Sequence, residues 1–233
     1  TLVVVGDTLT CTATATDGYG GTSSEDATTV ILNTDPVVDS VAIDLTTPVA
    51  SDILTCSATG SDIDGYSPTF DFTWSNLTTG DVYTSSTTDV DSATLDLSTT
   101  TVAVDDEVEC LVTATDADGG TASDMATVTI YNSAPTFDVA ATIDISPDVY
   151  VGDVLTCSAS ASDINDGTIA PTYEWSVNGN VFATGSTYTV DVTNPDFGDD
   201  LVCTATATDS DGEMAVSTAT VTVQNTAPVV SNV

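Results

Sequence analysis

The sequence contains no lysine, no arginine and no histidine. Its 36 acidic residues, only five of them Glu, stand without a basic side chain, and the formal net charge at pH 7 is −36. Salt bridges between side chains are therefore excluded. The carboxylates must be held apart, hydrated, or neutralised by cations from outside, metal ions foremost. Nucleic acid is excluded as a partner, because Lys and Arg are the groups that neutralise phosphates. Docking on anionic lipid is excluded for the same reason. The usual general bases and oxyanion clamps are missing as well. A long apolar run is also absent, since none reaches the roughly 18 residues of a membrane span. Residues 1–7 lack the basic start of a signal peptide.

What is present reads as strands. Low hydrophobicity with high net charge would signal disorder, but 41% of the residues are hydrophobic. Val, Ile, Leu, Thr and Tyr alternate with polar residues, the period of half-buried strands. The 46 threonines suit the solvent face of an antiparallel sheet, being β-branched and tolerant of water. Helical periodicity is essentially missing.

One segment recurs three times: residues 6–18 are echoed at 105–119 and 199–212, anchored by Cys11, Cys110 and Cys203. The separations of these cysteines, 99 and 93 residues, give the repeat length. A second segment recurs twice: Asp52-Ile53-Leu54-Thr55-Cys56-Ser57-Ala58 matches Asp153-Val154-Leu155-Thr156-Cys157-Ser158-Ala159. Trp74 and Trp175 each follow that cysteine by 18 residues. The junctions Asn33-Thr34-Asp35-Pro36, Asn132-Ser133-Ala134-Pro135 and Asn225-Thr226-Ala227-Pro228 share a signature in which Pro stops a sheet from continuing.

The Cys, Trp, Cys order resembles the immunoglobulin fold, in which cysteines of strands B and F bridge two sheets and a strand C Trp packs on the bridge. The resemblance implies an all-β chain of tandem Greek-key β-sandwiches, with disulfides Cys56 to Cys110 and Cys157 to Cys203. Cys11 would belong to a strand F whose partner lies outside the segment, and this accounts for the odd cysteine count; five reduced core cysteines are the alternative. With its cysteines bridged, the chain also loses thiol nucleophiles. The Thr-Asp-x-Asp-Gly turns are similar to those of PKD-like and cadherin-like modules of large prokaryotic surface proteins. Neither Trp74-Ser75-Asn76 nor Trp175-Ser176-Val177 is followed by the Gly-Asp-Gly usual in PKD modules, so the immunoglobulin-like label is the safer one. The expected domains are 1–33, a C-terminal F–G hairpin; 34–132 and 133–225, two complete units; and 226–233, the first strand of another. In the first complete unit, strand A is expected near 37–45, B at 52–60, C at 69–75, E at 93–98, F at 107–115 and G at 121–131. Asn178-Gly179 is expected to make the tight turn after strand C of the second.

The acids recur in three loops of each unit: B–C (Asp62, Asp64; Asp163, Asp166), F–G (Asp17; Asp116, Asp118; Asp209, Asp211) and E–F (Asp7; Asp105, Asp106; Asp199, Asp200). In a stacked immunoglobulin-like chain, Asp105 and Asp106 of one unit, the Asn132 linker, and Asp163, Asp166, Asp209 and Asp211 of the next approach one junction. Asp7, Asn33, Asp35, Asp62, Asp64, Asp116 and Asp118 would form its upstream equivalent. Calcium takes six to eight oxygens and would remove the repulsion there, as cadherin junctions do by resemblance. The competing reading is that Asp-Gly and Asp-x-Asp-Gly are simply good turn sequences. A catalytic carboxylate pair would appear once, in a cleft; these acids repeat in every unit, which argues against an enzyme. Asn76-Leu77-Thr78 is an N-glycosylation sequon. Tyr19, Tyr66 and Tyr83 are the aromatics that an adhesin or carbohydrate-binding surface would expose.

These features point to a structural segment of an extracellular or cell-surface filament or stalk. Its partners would be further repeats of the same chain, or copies of itself, with glycans as a further modification. A calcium-dependent adhesin or carbohydrate-binding module is the alternative.

Overall fold

The computed structural model describes residues 3–65, 67–88, 91–144, 148–225 and 227, with backbone alone for 84–88. The chain divides into two compact units, Thr1–Tyr131 and Asn132–Val233.

Unit 1 opens with a two-stranded antiparallel hairpin, β1 (Thr8–Thr16) and β2 (Thr22–Val30). A sandwich follows. One sheet orders β3 (Val37–Ile43), β4 (Ile53–Ser61) and β7 (Ser92–Asp96) as β3-β4-β7. The other orders β5 (Thr69–Asn76), β6 (Val82–Thr88), β8 (Glu107–Thr115) and β9 (Thr121–Thr129) as β6-β5-β8-β9. Strands A, B, C, E, F and G fall within two residues of their expected limits, and β6 is an added edge strand beyond C.

Period-two alternation decides which side chains face inward. Leu54, Cys56 and Ala58 of β4, Phe70, Phe72 and Trp74 of β5, and Val108, Cys110, Val112 and Ala114 of β8 form one buried cluster. Cys56 and Cys110 are disulfide-bonded across the sheets, 54 residues apart in sequence. In the chain-entropy model such a loop stabilises by about 4 kcal/mol.

Unit 2 repeats the plan. One sheet joins β10 (Thr136–Asp144), β11 (Val154–Asp163), β12 (Gly167–Ile169) and β15 (Thr187–Thr189); the other orders β14 (Asn180–Thr184), β13 (Thr172–Val177), β16 (Asp200–Thr208) and β17 (Met214–Thr222) as β14-β13-β16-β17. Cys157 and Cys203 are bonded beneath the buried Trp175, whose Nε1 donates to the Gly185 carbonyl at 2.9 Å. The expected turn lies between β13 and β14, with Asn178 at φ 51° and Gly179 at φ 78°. In both units a short parallel bridge, Val49 to Tyr131 and Val149 to Val223, carries the chain across to the last strand of the second sheet.

Asn76, the asparagine of the expected sequon, is held inside this packing. Asn76 is fully buried, and its Nδ2 donates to Asp106 Oδ2 at 2.7 Å and to the Tyr83 hydroxyl at 3.0 Å. In the folded unit that nitrogen has no face left for a glycan. The sequon is legible from its three residues; the contact with residue 106, thirty positions on, is not.

Candidate functional site

Three loops meet at the linker end of each sandwich. In unit 1 they are the linker 33–36, the β4–β5 loop with Asp62 and Asp64, and the β8–β9 loop with Asp116, Asp118 and Gly120. The Asn33 amide donates to Asp116 Oδ2 at 2.9 Å, and the Thr34 backbone N–H donates to Asp64 Oδ2 at 2.8 Å. Asp62 Oδ1 accepts from the Asp64 backbone N–H, and Asp116 Oδ1 from those of Asp118 at 2.9 Å and Gly120 at 2.7 Å.

A Cβ at Gly120 would sit 2.5 Å from Asp116 Oδ2, 2.7 Å from Asp35 Oδ1 and 2.8 Å from Asn33 Nδ2. Glycine is thus what lets the linker close over the loop.

Unit 2 is built alike, with neutral replacements. Asn132 donates to Asp209 Oδ2 at 2.9 Å, and Asp209 Oδ1 accepts from the backbone N–H groups of Asp211 at 3.0 Å and Glu213 at 2.8 Å. Asp163 Oδ1 accepts from the N–H groups of Asn165 at 2.7 Å and Asp166 at 3.1 Å. The Ser133 hydroxyl reaches Asn165 Oδ1 at 2.9 Å. The Asp166 carboxylate takes both the backbone N–H and the hydroxyl of Ser210. Ala134 and Asn165 stand where unit 1 has Asp35 and Asp64.

Asp163 and Asp209 are each only 7% exposed, in a chain with no cationic side chain to offset them. Among the described residues, three oxygen acceptors at these ends are buried without a donor: Asn33 Oδ1, Asp62 Oδ2 and Asn132 Oδ1. Two of the three are the same linker position in successive units. No group of three or more carboxylate or thiol side chains is spaced to hold a metal among the described residues. A cation there would draw on linker amide oxygens as well as carboxylates.

Electrostatics follow from the donors. The Asn33 amide, helped by the N–H groups of Gly120, Asp118 and Gly119, holds the Asp116 carboxyl below the usual carboxylate range, while burial pulls the other way. Burial pushes Asp209 upward, but the Asn132 amide and the N–H groups of Glu213, Gly212 and Asp211 together outweigh it and keep the carboxyl low. Asp17, in the equivalent loop between β1 and β2, is lowered by the N–H groups of Tyr19 and Gly21.

The acids of the E–F loops are placed differently. Asp106 and Asp116 flank opposite ends of β8. Asp7, Asp106 and Asp199 each cap their own turn, accepting from the N–H three residues earlier at Val4, Ala103 and Asp196. Asp105 takes φ 67°, the position that Gly6 and Gly198 fill in the other copies. Asp118, Asp200 and Asp211 are not drawn into the linker contacts, although Asp200 accepts from the Thr222 hydroxyl. Of the tyrosines, Tyr19 is fully exposed, Tyr83 packs against the unit 1 core, and Tyr66 lies outside the described residues.

Sequence reasoning missed Ser133, Asn165 and Gly120 as contributors. Gly120 was findable, because the sequence repeats Gly-Gly after Asp-Gly-Tyr and Asp-Ala-Asp, at Gly20-Gly21 and Gly119-Gly120.

The folds and loops together define tandem, disulfide-bonded, immunoglobulin-like β-sandwich units. No protein-family model matches the sequence, and no curated protein matches it either. Among solved structures, the chain is similar to a 1.5-MDa bacterial ice-binding adhesin at 17% identity and TM-score 0.34, covering 94% of this chain and 74% of that one. It is similar to a tetra-tandem repeat from the extending region of a large adhesion protein at 24% identity and TM-score 0.36, covering 95% of this chain and 58% of that one. A two-domain fibronectin type III segment of chicken tenascin matches at 10% identity and TM-score 0.38, covering 80% of this chain and 99% of that one.

Proposed function

We propose that this chain is a non-catalytic spacer segment of an extracellular adhesin-like protein, a filament or long cell-surface stalk built from repeated sandwiches. The supporting observation is that both units repeat one plan down to a shared pair of loop carboxylates, Asp62 and Asp116 in one and Asp163 and Asp209 in the other, and the linker amide of Asn33 or Asn132. A spacer requires that sameness, whereas a catalytic cleft would make one copy different. The two inter-sheet disulfides belong to an oxidising compartment, outside the cytoplasm.

Within this reading, hard cations stiffen the linker end of each unit. The support is the recurrence of buried, donor-less oxygens at Asn33 and Asn132 beside Asp116 and Asp209, with no basic residue to serve them. Calcium accepts this mixture of carboxylate and amide oxygens. Asp106 is not part of it, since it already has two donors in its own turn and strand end.

Electron microscopy of the full-length material with and without a calcium chelator tests both parts. Uniform beaded filaments that become limp on chelation are the expected result. Separate flexible chains ending in a distinct globular head would replace the filament with an adhesin stalk. Among the described residues the fully exposed Tyr19 favours a glycan-contacting role, and glycan-array binding lost in Tyr19→Ala would establish it.

A further inference from the structure

We propose that unit 2 binds a neutral pyranose sugar in a notch beside β13, at the end of β14, where the two units differ in build. The proposal goes beyond the spacer reading, which rests on what the units share.

The difference lies in how far the edge of the second sheet is paired. In unit 1 the β5–β6 ladder reaches back to Phe70, four residues before Trp74, with Thr88 as its last partner. In unit 2 the β13–β14 ladder stops at Glu174, one residue before Trp175, opposite Thr184. Gly185, at φ 103°, then turns the chain away to the other sheet. There β15 pairs with β11 over only three positions, whereas its counterpart β7 pairs with β4 over five.

One side chain covers the resulting gap. In unit 1 the Ala58 N–H donates to the Asp91 carbonyl at 2.9 Å. At the matching position in unit 2 the Tyr173 hydroxyl takes over, accepting from the Ala159 N–H at 3.0 Å and donating to the Ala159 carbonyl at 3.3 Å. Gly185 is held as firmly: its N–H donates to the Tyr173 carbonyl at 2.9 Å, and its own carbonyl accepts from Trp175 Nε1 at 2.9 Å. The walls of the notch are therefore fixed before any ligand arrives.

The notch has a volume of about 470 Å³, within the roughly 300–1,000 Å³ of small-molecule sites. Pro171 and the half-buried Tyr173 supply its apolar surface, while Glu174, Thr184 and Ser186 line it as exposed polar side chains. Because the Tyr173 hydroxyl is committed to Ala159, only its ring is left for a ligand.

This lining selects the occupant. A purely apolar molecule would strip water from Glu174, Thr184 and Ser186 and return no hydrogen bond. An anion, sialic and uronic acids included, would meet the Glu174 carboxylate in a chain that holds no basic side chain. A neutral pyranose satisfies both halves of the site. Its C–H face lies on Tyr173 and Pro171, and its hydroxyls donate to the Glu174 carboxylate and exchange hydrogen bonds with Thr184 and Ser186.

The test titrates the oxidised, ¹⁵N-labelled 233-residue chain with the methyl glycosides of glucose, galactose and mannose, followed by NMR. The signals to watch are the Gly185 amide and the Trp175 indole N–H, with the Trp74 indole of unit 1 as the internal control. The expected result is a saturable shift of the two unit 2 signals at millimolar concentrations of at least one sugar, while Trp74 stays in place. Glu174→Ala should weaken that binding by about tenfold or more, and Thr184→Trp, which fills the notch from an exposed position, should abolish it. No saturable shift with any of the three sugars overturns the proposal, as do shifts that persist unchanged in both variants. An equal response to glucuronate overturns the charge selection. A response to glucosamine alone overturns the neutral-sugar assignment and makes the notch a cation site. Each of these outcomes is separate from the spacer reading, which microscopy decides.

Discussion

Asn76 shows how a single side chain ties a unit together. It sits at the end of β5 yet holds Asp106, which precedes β8, and its own Oδ1 accepts from the N–H groups of Thr78 and Thr79. Substitution Asn76→Ala leaves the 6%-exposed Asp106 carboxylate with the Ala103 N–H as its remaining donor. Because a lost bond to a buried charge costs about 2–3 kcal/mol, that loss is expected in urea denaturation. Mass spectrometry of protein secreted from a glycosylating host should find Asn76 unmodified. Asp116 carries a pH signature. A carboxyl whose folded pKa is depressed stabilises fully above its unfolded value and loses that contribution as pH falls through the folded one. The stability gap between the wild-type chain and Asp116→Asn should therefore be constant above about pH 3.9, the ordinary value for Asp, and shrink below it, as followed by chemical denaturation across pH.

At the scale of strands and turns, the B and F strands were the most legible elements, because Cys56, Cys110, Cys157 and Cys203 mark their centres and alternation marks their faces. The Asn178-Gly179 turn was equally readable, since Asn-Gly accepts the positive φ angles of a tight hairpin. Gly179→Ala forces a Cβ into a left-handed residue at φ 78° and should cost about 1 kcal/mol, measurable by urea denaturation. The edge strand β6 and the short β12 and β15 were not legible. Edge and three-residue strands bury too little for a strong period, and long-range pairing decides them. The acidic loops were legible as a repeating set, but their division of labour was not. Whether an Asp caps its own turn, as Asp106 does, or meets a linker amide, as Asp116 does, depends on residues dozens of positions away.

For the whole molecule, the net charge of −36 dominates. Like charges destabilise a compact state, and added salt screens them. Thermal unfolding should move to higher temperature as NaCl is raised. At matched ionic strength, millimolar calcium should raise it further than magnesium, since magnesium demands stricter octahedral geometry. Chelation should reverse the calcium increment and leave the NaCl increment in place. Equal effects of the three salts would mean screening alone and would remove the cation from the linker ends.

The disulfides also decide what happens when such a chain is pulled. Tension applied through the linkers enters each unit at its two ends, whereas the covalent bridge from β4 to β8, or from β11 to β16, short-circuits the stretch between. The stretches between the bonded cysteines, sequence separations of 54 and 46, cannot extend until sulfur is reduced. At about 3.4 Å per extended residue, that withholds roughly 180 Å and 160 Å of slack. An oxidised unit therefore ruptures short and re-forms from nearby ends, and the same unit under a reductant becomes a far longer tether.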